Sequence, residues 1–187
     1  MNDAGTLTIE ALDPTDQMSV LAAATLVNQH FGSERTARLR ARVLAPHTCF
    51  VSRAPSGTIN GVLSARVAGD GDRALVDRLV ASSGHTSGII DDLAVDPEWR
   101  GNGIGTALMD AGLRHLRTAG CTIVLTEVWR SGIYESFGLA TRAGFETVVH
   151  VIGYWSAASN DAISGWDCKT CGRPCKCPAT LMRRALR

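Results

Sequence analysis

Ile89-Ile90-Asp91-Asp92-Leu93-Ala94-Val95-Asp96-Pro97-Glu98-Trp99-Arg100-Gly101-Asn102-Gly103-Ile104-Gly105-Thr106 is the stretch whose reading decides the fold. Its first seven residues form an apolar, strand-like run. From about Gly103 to Thr118 the apolar spacing predicts an amphipathic helix, with Thr106, Asp110, Arg114, Arg117 and Thr118 on one arc. Ile104, Leu108, Gly112, His115 and Leu116 fill the opposite arc, as in a helix laid against a sheet. Between strand and helix, glycines at 101, 103 and 105 expose successive backbone N–H groups. A helix start of this kind gathers unpaired donors and the positive end of the helix dipole, which suits a phosphate. Arg100 adds a forked cation. The unit reads as a pyrophosphate cradle.

Two other cradles are excluded. No Gly-Lys-Ser/Thr is present to make a P-loop, and the glycine spacing lacks the third glycine of the dinucleotide fingerprint.

Outward from this unit, Thr6 to Leu12 alternates as a first strand. Asp13-Pro14 predicts a helix start running to about Phe31, and Ser33 a second helix carrying Leu39, Val43 and Leu44. Residues 48–53 and 59–67 predict a strand pair joined by Ala54-Pro55-Ser56-Gly57. Arg73 to Val80 fits a short helix. Beyond the long helix, Gly120 precedes a strand from Thr122 to Trp129. A short helix is expected at about 133–143, a strand over 145–155 and a closing strand over 179–186. No internal repeat is visible. The order of elements predicts an α/β chain with a mixed sheet and helices on both faces.

The 187 residues are enough for one domain with a real core, 45% of them hydrophobic and with a net charge of +1. No basic field argues for nucleic acid or an anionic membrane. Met1-Asn2-Asp3-Ala4-Gly5 does not resemble the start of a signal peptide, and no apolar run approaches ~20 residues. The expected setting is cytoplasmic.

Of six cysteines, Cys49 and Cys121 sit singly in apolar runs and read as buried small hydrophobes. Cys168, Cys171, Cys175 and Cys177 form a Cys-x-x-Cys-Gly-x-x-Cys-x-Cys knuckle. Four thiolates match the four-coordinate preference of structural Zn2+. An iron–sulfur cluster, Cu(I), a redox dithiol, disulfides or unliganded thiols are the alternatives. A catalytic metal is disfavoured, because four thiolates leave no open position.

Arg100-x-x-Gly103-x-Gly105 after Val95-Asp96-Pro97-Glu98 resembles the acetyl-CoA signature of the GNAT (GCN5-related N-acetyltransferase) superfamily. Arg142-Ala143-Gly144-Phe145 is similar to the helix-ending Gly-Phe that follows that family's coenzyme A helix. Leu181-Met182-Arg183-Arg184 is similar to its last strand. The resemblance is specific from about Ile89 to Phe145 and in the closing strand. It implies about seven mostly antiparallel strands with helices on both faces. It implies acetyl-CoA as cosubstrate, with Leu93, Ala94 and Val95 along its arm. Arg100, Gly101, Asn102, Gly103, Ile104, Gly105 and Thr106 would lie at its pyrophosphate. The acceptor would be an amine of a small molecule or peptide, and a homodimer is compatible. Residues 156–178 would be a cysteine-rich insertion between the last two strands of a single domain spanning 1–187, bordering the acceptor side.

Transfer to an amine needs a base, and Glu127 on its strand is the first candidate, with Asp91 and Asp92 as alternatives. Strand alternation lets only one of the two aspartates face the cleft. The family's usual tyrosine, four residues before the glycine of Gly-Phe, is replaced by Ala140. Tyr134 and Ser136 are the nearest hydroxyl candidates for an acid, beside unassisted departure of the thiol. His115 reads as a core histidine and His85 as a loop one. A coenzyme A sensor or a zinc-organised interaction module without catalysis is the alternative reading.

Overall fold

The computed structural model describes residues 7–31, 47–80, 84–130, 136–161 and 167–186. Its strands are β1 (Ile9–Ala11), β2 (Thr48–Arg53), β3 (Ile59–Val67), β4 (Ser87–Val95), β5 (Ile123–Trp129), β6 (Glu146–Val151) and β7 (Ala179–Ala185). Its helices are α1 (Gln17–Phe31), α2 (Arg73–Leu79), α3 (Ile104–Thr118), α4 (Phe137–Arg142) and α5 (Ser156–Ser159). The second helix expected from Ser33 lies outside the described residues.

One seven-stranded sheet runs in the order β1-β2-β3-β4-β5-β7-β6. Every neighbouring pair is antiparallel except β4 and β5, which are parallel. A parallel pair needs a crossover, and α3 supplies it. The expected class, a mostly antiparallel mixed sheet with helices on both faces, is the observed one.

Alternation along β3 assigns the two layers. Val62 packs with Val51, Ala94 and the α1 residues Val20, Ala23, Ala24 and Val27. Leu63, Ala65 and Ile90 pack with Ile104, Leu108, Leu113 and Leu116 of α3. The fully buried Leu63, Leu108 and Leu116 each contribute roughly 1.5–3 kcal/mol by leaving water. Thr106, Asp110, Arg114, Arg117 and Thr118 face solvent, as the helical pattern predicts. Gly112 brings α3 down on β3, since a Cβ there would lie 2.7 Å from Leu63 Cδ2.

Two boundaries differ from expectation. Helix α1 begins after Asp16, whose carboxylate accepts from the N–H groups of Met18 and Ser19. Asp13-Pro14 makes a separate turn, closed by Thr15 N–H on Asp13 at 2.8 Å. The expected 145–155 strand stops at Val151, and residues 152–155 turn. Gly153, at φ +63°, serves that turn.

Two irregularities in the sheet create the site. On β4, Asp92 pairs with Ser64 and Ile90 with Ala65, so Asp91 is an extra residue. Such a bulge bends its strand. The β4–β5 ladder then ends at Ile90↔Thr126, although β4 continues to Val95 and β5 to Trp129. The two strands part beyond that point.

Candidate active site

The gap between β4 and β5 opens into a cavity of about 550 Å³. Leu93, Ala94 and Val95 line one side, and Val128, Trp129 and Trp155 the other. Arg100, Gly101, Gly103, Ile104, Gly105 and Thr106 stand at its α3 end. Gly103 is the N-cap of α3, left-handed at φ 78°, and no side chain caps the helix. The first-turn N–H groups thus lack both intrahelical and side-chain acceptors. Gly101, at φ +80°, keeps the preceding turn in a conformation that disfavours a side chain. This donor set suits a diphosphate.

Asn102 is not on the cavity wall. Its side-chain N–H groups donate to the carbonyls of Trp99 and Arg100 at 3.1 and 3.2 Å, which builds the turn. Arg100 is held by a residue the sequence did not single out. Its Nε donates to the Val95 carbonyl at 3.1 Å and its Nη2 lies 2.7 Å from His30 Nε2. His30 Nδ1 is 2.9 Å from the Leu26 carbonyl. His30 Nε2 also lies 3.0 Å from the Val95 carbonyl, so the ring ties α1 to both Val95 and Arg100. A lone histidine near a helix end carries no sequence signal for a partner seventy positions away.

Glu127 lies in this cavity and also lines a second one of about 360 Å³. The second cavity is bounded by Arg66, Asp72, Arg78, Asp91 and Tyr154. The Tyr154 hydroxyl donates to Glu127 Oε1. Burial, then the Glu127 charge, pushes the Tyr154 phenol well above its ordinary range, so it stays a donor. Tyr154 was also missed, because the expected strand ran through it and hid the turn that aims it.

The expectation that only one aspartate faces the cleft does not hold. The bulge breaks alternation, and both Asp91 and Asp92 touch the larger cavity. Asp91 is bound by Arg66 Nε at 2.8 Å, with His47 3.6 Å away. Arg66 also pairs with Asp72, whose carboxyl it holds below the usual range. Asp92 is buried and accepts from Ser64 Oγ at 3.2 Å.

Ser136 and the buried Ala140 line the larger cavity from α4. Tyr134 lies outside the described residues. His85 is exposed, with its Nδ1 3.0 Å from Thr122 Oγ1, and His115 meets Phe50 edge-on.

The sulfur atoms of Cys168, Cys171, Cys175 and Cys177 all lie within 4.8 Å of one another. Gly172, at φ +75°, returns the chain so that Cys168 and Gly172 exchange backbone hydrogen bonds. The Thr170 N–H donates to Cys168 Sγ at 3.4 Å and the Lys176 N–H to Cys171 Sγ at 3.1 Å. The buried Trp129 indole N–H has no hydrogen-bond partner among the described residues, and its ring packs in one cluster with Cys177. Burial works against ionisation at Cys171, yet the Lys176 N–H and the neighbouring thiols bring it down to about 7. Burial carries Cys177 up to about 11 and Cys175 beyond the ordinary thiol range. Without a cation, crowded thiols resist ionising together. Cys49 and Cys121 are buried, as expected.

A bulged strand parting from its parallel neighbour at a glycine-rich helix start defines an acyl-CoA N-acyltransferase type of fold. The acetyltransferase (GNAT) family model matches residues 17–145. The chain belongs to that family. It is similar to mycothiol acetyltransferase of Propionibacterium freudenreichii subsp. shermanii, 28% identical over 148 residues that cover 76% of this chain and 43% of that protein. The chain therefore spans less than half of that relative's length. In fold it is similar to Arabidopsis thaliana NAA60 in complex with acetyl-CoA, with TM-score 0.70, 16% identity and coverage of 97% and 99%. The ribosomal-protein-S18-alanine N-acetyltransferase from Escherichia coli is also similar, with TM-score 0.66, 16% identity and coverage of 96% and 94%.

Proposed function

We propose that this chain transfers acetyl from acetyl-CoA to a primary amine of a small molecule or peptide. The observation that carries the reading is Glu127. It stands where two cavities meet: the larger holds both the α3 donor cradle and, on the acceptor side, the Phe31, Trp129 and Trp155 wall, and the smaller leads to Arg66, Arg78 and Tyr154. Transfer between two bound molecules needs such a junction with a base at it.

Bound acetyl-CoA would supply an acyl group activated as a thioester. The N–H groups from Gly101 to Thr106, with Arg100, would hold the diphosphate. Leu93 to Val95, unpaired with β5, present backbone groups to the arm and one N–H to the acyl oxygen. Glu127, oriented by the Tyr154 hydroxyl, takes the proton of the acceptor ammonium. Asp92 is second choice as base. Asp91 is weaker still, because Arg66 already claims it. Ser136 is the candidate to deliver a proton on the sulfur side, with Tyr134 as the alternative.

We assign one Zn2+ to Cys168, Cys171, Cys175 and Cys177 as a structural ion. Reduced thiols fit a cytoplasmic setting. No described helix is long and apolar enough to cross a membrane. We read residues 1–187 as one domain, with 156–178 inserted between β6 and β7. Neither nucleic acid nor membrane is among the partners we propose, and a homodimer is compatible with this reading.

The buried Ala140, in place of a phenol, favours one other reading: a coenzyme A sensor or zinc-organised module without catalysis. Thiol release from acetyl-CoA, measured over an amine panel beside cofactor binding, separates the two. The panel includes a mycothiol-type amine and an alanine-terminated peptide, after the relatives' names. Amine-dependent release supports transfer; saturable binding with no release on any amine supports the sensor.

A further inference from the structure

We propose that the zinc centre braces the aromatic wall of the larger cavity, so that metal occupancy sets the shape of the acceptor side. The proposal rests on the zinc assignment above.

The sulfur spacing fits one ion. Zinc–sulfur bonds of about 2.3 Å in a tetrahedron give sulfur–sulfur edges of about 3.8 Å. Three of the six separations are 3.8 Å for Cys168–Cys177, 3.8 Å for Cys171–Cys175 and 3.6 Å for Cys171–Cys177, and all six lie within 4.8 Å. A disulfide needs about 2.05 Å. An iron–sulfur cluster distributes its cysteines over several irons and spreads them further apart. Two of the four sulfurs accept a backbone N–H bond, Cys168 from Thr170 and Cys171 from Lys176. Such donors stabilise metal-bound thiolate. Lys169, Arg173 and Lys176 stand in the same loop, and offset the roughly −2 net charge of a zinc tetrathiolate.

The centre is packed into the cavity wall. Trp129, Cys168, Cys175 and Cys177 form one buried cluster, with Phe31 and Trp155 against it. Phe31 stacks on Trp129 with centroids 5.5 Å apart and an angle of 18°, and Trp129 lies 6.3 Å from Trp155. The same three rings line the larger cavity. Two ties fix the loop around them. Lys169 Nζ donates to the Gln29 carbonyl of α1, and the Cys175 N–H to Ser159 Oγ of α5 at 2.7 Å. The ion therefore links the end of α1, the end of β5 and the β6–β7 connection. The phosphate donors stand on a different element, the start of α3.

The test is reversible metal removal from the whole chain. Metal content is read by elemental mass spectrometry and coordination by cobalt substitution. One zinc per chain, and thiolate-to-cobalt charge transfer with tetrahedral visible bands, are expected. On chelation, tryptophan emission should change, and hydrogen exchange should rise at 127–130 and 152–160. Acetyl-CoA affinity should stay within about threefold. KM of an acceptor found by the amine panel should rise at least fivefold. Added zinc chloride should restore all of these. Cys171→Ser should reproduce the metal-free state, and Trp129→Phe should raise KM while keeping the metal. Metal-free native protein overturns the proposal. So does one zinc whose removal leaves emission, exchange and KM unchanged. If no amine is acetylated, the transfer reading fails separately, and emission and exchange still decide whether the ion braces the wall.

Discussion

Glu127 sits beside a partner that keeps its proton. The Tyr154 hydroxyl donates to Glu127, and a phenol raised above its ordinary range remains a donor throughout an assay at pH 6–9. No alkaline loss of activity in that window should come from Tyr154. Glu127→Gln should lower turnover by roughly 10²–10⁴-fold with acetyl-CoA affinity little changed, as for a lost general base. Turnover within about threefold of the parent would give the role to Asp92. Tyr154→Phe removes a donor from a carboxylate and so disfavours its ionised form. The acid limb of the pH–rate profile should move upward by about one unit, or ~1.4 kcal/mol. An unmoved limb would deny Tyr154 this positioning role. At the other end of the cavity, His30→Ala frees Arg100. Acetyl-CoA affinity measured by calorimetry should fall about tenfold, ~1.4 kcal/mol.

The start of α3 is where local sequence and function coincide most closely. Gly101, Gly103 and Gly105, following a strand, expose donors whatever the rest of the fold does, so this part of the site was readable directly. Gly103→Asp would set a like charge beside a phosphate, at a left-handed position that strains any side chain. Binding should weaken at least tenfold by calorimetry, ~1.4 kcal/mol. The helix itself tests the packing account. Gly112→Val should drive a side chain into Leu63, costing about 1–3 kcal/mol and lowering Tm by several degrees. What the sequence concealed at this scale was pairing. Strand patterns show which residues alternate but not where a partner strand leaves. The Asp91 bulge and the end of the β4–β5 ladder at Ile90 are properties of two strands. For that reason Asp91 and Asp92 were read as mutually exclusive and prove not to be. The turn at residues 152–155, which delivers Tyr154 to Glu127, was hidden in the same way.

Across the whole molecule, the order of elements along the chain and a mixed sheet with helices on both faces could be read, because strand and helix periodicities alternate along the sequence. The contacts that make the site one object could not. His30 reaches Arg100, Phe31 stacks on Trp129, and Lys169 meets Gln29 across long stretches of chain. None of these pairs leaves a mark in local composition. Together they join the cradle, the base and the cysteine centre around a single cavity between β4 and β5. The measurement that tests this most directly is a crystal structure of the chain with acetyl-CoA. We expect the diphosphate on the N–H groups of residues 101–106, the arm along Leu93 to Val95, and the acyl carbon facing Glu127. Acetyl-CoA bound elsewhere, or a closed β4–β5 gap with no cofactor at saturating concentration, would contradict the account.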